Sequence, residues 1–330
     1  MTADETAVSG LSADEAFALV ADETRLEILR TLSEADEPLA FSTLFERSEY
    51  DTMSNFSYHL DKLDGHFISR TDEGYAIRQT GRRIVEAVIS GTVTDDPVVH
   101  REPTDRECPF CGAQIEVSYQ QERVELYCTE CAGFVRHEES GEQFDAEFGT
   151  LGHIYLPPAG IQGRTPTEMH TAAVVWSNLE VLGTSAGVCS RCSGHIDHSV
   201  TVCEDHDVTE GVCNHCDRRY AVLFEVECST CHYKSNGIPN LCLLAKTELL
   251  AFLTDHGLNP LVPATQERAP GALANYGEDV LSTDPVRVEL TFTIDDDSLT
   301  LTIDEDVSVV DVTRERASAT RGPSAGGGRG

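Results

Sequence analysis

Ten of the twelve cysteines stand in Cys-x-x-Cys pairs: Cys108/Cys111, Cys128/Cys131, Cys189/Cys192, Cys213/Cys216 and Cys228/Cys231. Cys203 is followed three positions on by His206, and only Cys242 is left over. Two such pairs must converge on one point before either can complete a tetrahedral site, so this spacing constrains the fold more than any apolar pattern. Between Cys111 and Cys128 lie Ile115–Tyr119 and Arg123–Tyr127, alternating segments about a short turn. This predicts a zinc ribbon over residues 108–136, each pair forming a knuckle and the hairpin bringing the knuckles together. Four thiolates leave no coordination position for water, so such a site is structural.

The second block, from Cys189 to Cys231, offers four further ligand pairs if His206 joins Cys203. Two pairings are open. Sequential pairing joins Cys189/Cys192 with Cys203/His206 and Cys213/Cys216 with Cys228/Cys231. A crossed arrangement joins Cys189/Cys192 with Cys213/Cys216 and Cys203/His206 with Cys228/Cys231. The expected cofactor is Zn2+, two or three ions in all. His195, His198, His215 and His232 read as solvated or supporting neighbours, and Cys242, in an apolar helical pattern, reads as a buried thiol.

Metal is preferred over disulfides because no export signal is visible: MTADETAVSG is acidic where a signal peptide begins basic, and no apolar run is long enough to span a bilayer. A soluble, cytoplasmic protein with no membrane partner is expected. Its 330 residues allow two or three domains. The formal net charge is −33, with 57 acidic against 24 basic residues, of which only Lys62, Lys234 and Lys246 are lysines. Acid spread along the whole chain is the composition of a protein adapted to molar salt, where screening acts within a few Å. The balance reverses locally: from Thr52 to Arg83, five basic residues (Lys62, Arg70, Arg78, Arg82, Arg83) face four acidic ones (Asp61, Asp64, Asp72, Glu73).

That same segment carries the second informative pattern. In Thr52–Phe67, Phe56, Leu60 and Leu63 recur at helical spacing, while Ser54, Asn55, Tyr58 and Lys62 fill the opposite face. Upstream, Ser12 and Glu15 form a capping box for a helix through Val20, and Asp22 caps a helix with core positions Leu26, Leu29 and Leu32. A short helix at Phe41–Arg47 turns Phe41, Leu44 and Phe45 inward, and Glu49–Asp51 supplies the turn. Downstream, Phe67–Arg70 and Tyr75–Arg78 flank Thr71–Gly74 as a hairpin wing, and Thr80 caps a helix whose stripe Ile84, Val85, Val88 and Ile89 is expected to meet a second subunit. This order is that of a winged helix-turn-helix.

The segments ADETRLEILRTL (Ala21–Leu32) and FSYHLDKL (Phe56–Leu63) resemble the matching helices of ArsR-type winged-helix transcriptional regulators, with Arg25-Leu26 and His59-Leu60 at that family's Arg-Leu and His-Leu positions. The match covers residues 12 to 90. The resemblance implies a homodimer on double-stranded DNA, with Ser54, Asn55, Ser57, Tyr58, His59 and Lys62 of the reading helix near bases or phosphates, and Arg70 and Arg78 of the wing near the backbone. The metal-sensing cysteine of that family is absent from Leu39–Phe45. His59 lies at the edge of the apolar stripe, where a packed core histidine is the alternative to a DNA contact. More loosely, the whole chain is similar to the winged-helix, zinc-ribbon regulators of halophilic archaea.

The expected fold class is α+β: a disordered lead-in (1–11), a winged helix-turn-helix (12–91), a linker (92–107), the first ribbon (108–136), a region of helix, second zinc block, C-terminal helix and β-hairpin (137–313), and a disordered tail (314–330). Within it, Thr165–Glu168 caps a helix to about Leu182 with Ala172, Val175, Trp176, Leu179 and Leu182 inward. A helix is expected over Asn240–His256, a loop after it, then a hairpin with Val286, Val288, Leu290, Phe292 and Ile294 alternating against Leu299, Leu301 and Ile303. No Ser/His/Asp set, phosphate loop or open metal site appears, so no enzyme is expected. The alternatives are a zinc-ribbon adaptor of the transcription machinery without its own operator, and a redox sensor using the Cys-x-x-Cys dithiols. A small-molecule effector is not identified by the sequence.

Overall fold

The computed structural model describes residues 10–48, 50–136, 149–259 and 269–316. It is a mixed α and β protein that divides into two compact units, Met1–Asp95 and Asp96–Gly330. Most of the expected lead-in and tail, Glu49 of the expected turn, and the loop at 260–268 lie outside the described residues.

In the first unit, α1 (Ala13–Val20) starts at the Ser12/Glu15 capping box and α2 (Glu23–Ser33) at Asp22, whose carboxylate accepts from the Arg25 amide. Next come α3 (Phe41–Arg47), α4 (Met53–Leu63), the hairpin β1 (Ile68–Thr71) and β2 (Gly74–Ile77), and α5 (Gln79–Ile89). Phe56, Leu60 and Leu63 of α4 are fully buried against Ile28, Leu29 and Leu32 of α2; Ile28 takes the inward place expected of Leu26, which is only half-buried. Phe41 and Phe45 meet Phe56 edge-on, with ring centroids 5.7 and 5.5 Å away. The hairpin is held to the chain before α3 by paired Leu39–Tyr75 backbone hydrogen bonds of 2.9 Å. A Cβ on Gly74 (φ +142°) would lie 2.3 Å from the Leu39 carbonyl oxygen, so this approach needs glycine. Helix α5 begins two residues earlier than expected, at Gln79 after Arg78: Thr80 bonds the His66 carbonyl instead of capping, tying α5 to the α4–β1 turn. Ile89, at the end of its stripe, stays 60% exposed.

The second unit opens with a four-stranded antiparallel sheet, β3 (Val99–Glu107), β4 (Gln114–Gln120), β5 (Arg123–Cys128) and β6 (Thr150–Tyr155), in chain order. Residues 99–107 therefore belong to a strand and not to the expected linker. As an edge strand it buries only Thr104 and carries Pro103, so its sequence lacks the strong alternation of a central strand. Gln121 and Glu122, both at positive φ, make the tight β4–β5 turn. Helix α6 (Pro166–Ser185) keeps its expected Thr165/Glu168 capping box. Its buried residues, however, are Met169, His170, Ala173, Asn178 and Thr184, with Met169 and Ala173 packed on the sheet core of Val117, Tyr119 and Val124; of the expected stripe, Ala172 and Leu182 are half-buried against the two cores. Trp176 and Leu179 of the expected stripe are 38% and 50% exposed.

Beyond α6, β7 (Ile196–Val202) pairs antiparallel with β10 (Val222–Cys228), and β11 (Lys234–Gly237) adds to the other edge of β10. The small hairpin β8 (Val208–Thr209) and β9 (Val212–Cys213) fills the β7–β10 connection. The expected single helix at 240–256 is two, α7 (Pro239–Leu243) and α8 (Thr247–Asp255), because the chain turns at Leu244–Lys246. After α9 (Ala269–Ala274) comes a second four-stranded sheet, β12 (Gly277–Thr283), β13 (Val286–Ile294), β14 (Asp297–Ile303) and β15 (Val309–Glu315). The expected hairpin is its central pair, flanked by β12 and β15. β15 runs to Glu315, past the expected start of the tail at 314. Leu243, Leu249 and Phe252 pack with Val288, Leu290, Phe292 and Leu301 in one core.

Candidate metal centres and polar helix face

All twelve expected metal-ligating side chains fall into three groups of four: Cys108, Cys111, Cys128 and Cys131; Cys189, Cys192, Cys228 and Cys231; and Cys203, His206, Cys213 and Cys216. In each group the donor atoms lie within 4.8 Å of one another. In the first, sulfur–sulfur distances are 3.7 Å (Cys108–Cys131) and 3.4 Å (Cys111–Cys128); in the second, 3.7 Å (Cys189–Cys231) and 3.5 Å (Cys192–Cys228). Zinc–thiolate bonds of about 2.3 Å in a tetrahedron place sulfurs about 3.8 Å apart, so the cages could hold metal ions and are consistent with zinc.

Neither pairing weighed for the second block is the one observed. The pairs are nested, outer with outer and inner with inner. The reason is the β7–β10 hairpin: Ile196 pairs with Cys228 and Val202 with Val222. One end of this ladder brings Cys189/Cys192 to Cys228/Cys231, and the other brings Cys203/His206 to Cys213/Cys216. The sequence shows the ligands, but the pairing follows from a strand register that the ligands do not specify.

Backbone amides prepare the sulfurs for negative charge. Glu130 and Cys131 donate to Cys128 Sγ at 3.4 and 3.3 Å, Thr230 and Cys231 to Cys228 Sγ at 3.4 and 3.5 Å, and Asp207 and His215 both to Cys213 Sγ at 3.3 Å. The Cys231 amide leads in bringing Cys228 down to about 6; at Cys213 burial opposes, but the His215 and Asp207 amides outweigh it and the value again falls to about 6. Their neighbours move the other way. Burial and the Cys216 sulfur push Cys203 up to about 11, and at Cys192 the Gly194 amide is outweighed by the Cys231 and Cys228 sulfurs, giving about 12. Four clustered sulfurs cannot all ionise without a cation among them, and a dication supplies what they lack.

His206 belongs to its cage through Nδ1, 3.6 Å from Cys216 Sγ, while Nε2 lies 3.2 Å from the Arg219 carbonyl oxygen. A carbonyl on the far nitrogen is how a metal-ligating imidazole is oriented. Arg219 also reaches the first ribbon: its Nε donates to the Gly133 carbonyl at 2.8 Å, its amide to the Phe134 carbonyl at 2.8 Å, and its guanidinium lies 3.9 Å from the ring centre of Phe110, between Cys108 and Cys111. Nothing in the Cys-x-x-Cys spacing marks this arginine.

On α4, Ser54, Asn55, Tyr58 and Lys62 are exposed, Tyr58 by 53%, and Ser57 is half-buried. The Lys62 ammonium sits 5.4 Å from the Tyr58 ring centre. Arg70 on β1 is exposed, its guanidinium 5.8 Å from the Tyr75 ring centre, whereas the exposed Arg78 side chain donates to the Gly65 carbonyl and braces the α4–β1 turn.

His59 is the exception among the residues proposed for DNA. It is 7% exposed and turned away from the polar face. The Thr24 hydroxyl donates to the Tyr50 oxygen at 2.8 Å, Tyr50 lies 3.2 Å from His59 Nε2, and Nδ1 is 3.3 Å from the Asp22 carboxylate. The packed-histidine alternative is the one observed, and His59 ties α4 to the N-terminus of α2. Burial would raise the Asp22 pKa, but the Arg25 amide and side chain and His59 together hold it below its ordinary value.

Fold and site thus define a mixed α and β protein with three cysteine-rich cages that could hold metal, joined to a unit of helices and one hairpin. The chain belongs to the family described as Domain of unknown function (DUF7351), whose model matches residues 105–309; residues 13–88 match a second model, Domain of unknown function (DUF7347). No curated protein and no solved structure matches. Among the described residues, no helix is long and apolar enough to cross a membrane.

Proposed function

We propose that this protein is a sequence-specific, DNA-binding transcriptional regulator acting as a homodimer in the cytoplasm, its N-terminal unit a winged helix-turn-helix of ArsR-like type. The observation that carries this reading is α4: it buries Phe56, Leu60 and Leu63 and exposes Ser54, Asn55, Tyr58 and Lys62, directly before a hairpin that carries Arg70. A helix of this kind followed by a wing suits major-groove entry with backbone contacts alongside. Five basic residues against four acidic ones in Thr52–Arg83 lift the acid excess at that surface, and molar salt screens the remainder of the −33 charge. The exposed end of the α5 stripe, at Ile89, is assigned to the dimer interface. The three cages take one Zn2+ each as structural sites, since four protein donors leave no position for substrate.

Selection of bound sequences from a random DNA pool at molar KCl tests the reading. Enrichment of one motif is expected. Arg70→Ala should weaken all sequences similarly, and Asn55→Ala or Tyr58→Ala should change the motif. A pool that returns no motif would overturn it. The net charge of −33 favours, as a second reading, an adaptor that docks on basic protein surfaces of the transcription machinery; the same empty pool, with a co-purifying transcription component, would support that instead.

A further inference from the structure

Helix α4 turns a row of short side chains outward. At about 100° per residue, the direction opposite its buried residues Phe56, His59, Leu60 and Leu63 runs through Ser54, Tyr58 and Asp61. Tyr58 leans off that line, its ring centre 5.4 Å from the Lys62 ammonium and 5.5 Å from the centre of the His59 ring. What remains along the crest is Ser54, Ser57 and Asp61, at i, i+3 and i+7. Ser54 and Asp61 are exposed and Ser57 is half-buried. Short side chains of this kind let a helix approach the floor of a groove.

Asp61 is the residue of this row whose chemistry is unambiguous: a hydroxyl donates or accepts, whereas an ionised carboxylate only accepts. The other carboxylates of Thr52–Arg83 are placed differently. Asp64 accepts from the Gly65 and Arg70 amides at 2.9 and 3.2 Å, which fixes the start of the hairpin, and Asp72 and Glu73 lie in the turn between β1 and β2. Among the described residues, Asp61 makes no hydrogen bond or ion pair through its side chain. On a surface that meets a duplex, such a carboxylate is repelled by phosphates and gains only where a base edge donates to it. The major-groove donors are the amino groups of cytosine N4 and adenine N6. Adenine's is flanked on both sides by acceptors, its own N7 and thymine O4; cytosine's has an acceptor on one side, guanine O6, and is the better fit. From Ser54 to Asp61 the row rises about 1.5 Å per residue and so spans about three base-pair steps of about 3.4 Å, within what one helix covers. We propose that Asp61 is a specificity-determining residue, its carboxylate accepting from the N4 amino group of a cytosine and fixing one C·G pair of the bound sequence. This rests on the DNA-binding reading above and names one base of its preference.

The test selects sequences from a random DNA pool at molar KCl with the metal-loaded full chain and with its Asp61→Ala variant, an exposed helix position where alanine suits the fold. Each protein is then titrated against the parent's motif and against duplexes in which single C·G pairs are replaced by T·A. The parent is expected to return a motif with one C·G pair that Asp61→Ala no longer selects, the other positions being kept. At that pair the parent should discriminate about five- to a hundredfold and the variant less than about twofold. The variant should also bind the replaced duplex at least as tightly as the parent does, because a repelled charge is gone. Identical motifs, with the variant uniformly tighter, would overturn the inference by showing Asp61 to be a solvated carboxylate, and would leave the regulator reading standing. A variant altered only at positions that do not select C·G would overturn it too. No motif from the parent would overturn both.

Discussion

The nested pairing in the second cysteine block makes a prediction that can be read as a whole number of ions. Cys203→Ser combined with Cys213→Ser removes two ligands from the inner cage, leaving His206 and Cys216, too few for a structural site. The outer cage keeps Cys189, Cys192, Cys228 and Cys231, and the β7–β10 ladder from Ile196–Cys228 to Val202–Val222 survives to hold them together. A structural zinc in a small module contributes on the order of 10–16 kcal/mol, comparable to the whole net stability of a domain, about 5–15 kcal/mol. Removing the outer ion therefore risks unfolding the hairpin, and the inner pair is the informative choice. With three ions bound to the unaltered chain, the double variant should keep two that resist a chelator as in the parent. Under sequential or crossed pairing the same two substitutions would strike different ions, and only the first ribbon's would keep its native resistance. Mass spectrometry of the intact protein under native conditions, with a chelator time course, distinguishes two resistant ions from one. A single resistant ion would refute the nested arrangement.

Three further outcomes are expected. Burial pushes Glu278 up to about 7, and one oxygen accepts from the Ala221 amide while the other has no partner. The folded state therefore holds its proton more tightly than the unfolded chain, and this stability is full in acid and lost as pH rises through about 7; Glu278→Gln should gain about 3 kcal/mol on the parent between pH 5 and 8 in denaturant titrations, and a pH-independent difference would refute it. Burial lowers His170 to about 4, the opposite sense: its contribution is present above the ordinary histidine value and lost as pH falls toward 4, so His170→Gln should flatten the acid limb by about 3 kcal/mol, and an unchanged limb would count against the assignment. Leu60→Ala in α4, fully buried in the parent, should cost the first unit about 2–5 kcal/mol in thermal or urea unfolding, and a cost under about 1 kcal/mol would mean the helix is not packed as described.

What the sequence made legible was whatever is decided locally. Ser12/Glu15 and Thr165/Glu168 announce their helices because a capping box needs only four consecutive residues, and both are present. The Cys-x-x-Cys knuckles are equally local. Features decided by distant partners were not legible. Strand β3 is an exposed edge strand carrying Pro103, specified by β4 beside it more than by its own residues. The inward face of α6 is selected by a sheet of two-sided demand, so a stripe drawn through Trp176 and Leu179 misses Met169 and Ala173. The break between α7 and α8 has no Gly or Pro to announce it. The character of His59 turned on Tyr50 and Asp22, one nine residues before it and the other the N-cap of α2, thirty-seven residues before it.

Arg219 joins two of the three cages. Its side chain rests on Phe110 inside the first knuckle, while its carbonyl steadies His206 in the third. Its amide and Nε hold the Phe134 and Gly133 carbonyls just past Cys131, so the backbone that presents a carbonyl to His206 is itself pinned to the first ribbon. Two metal centres far apart in the sequence therefore share one brace, a single residue whose side chain serves one cage and whose carbonyl serves the other.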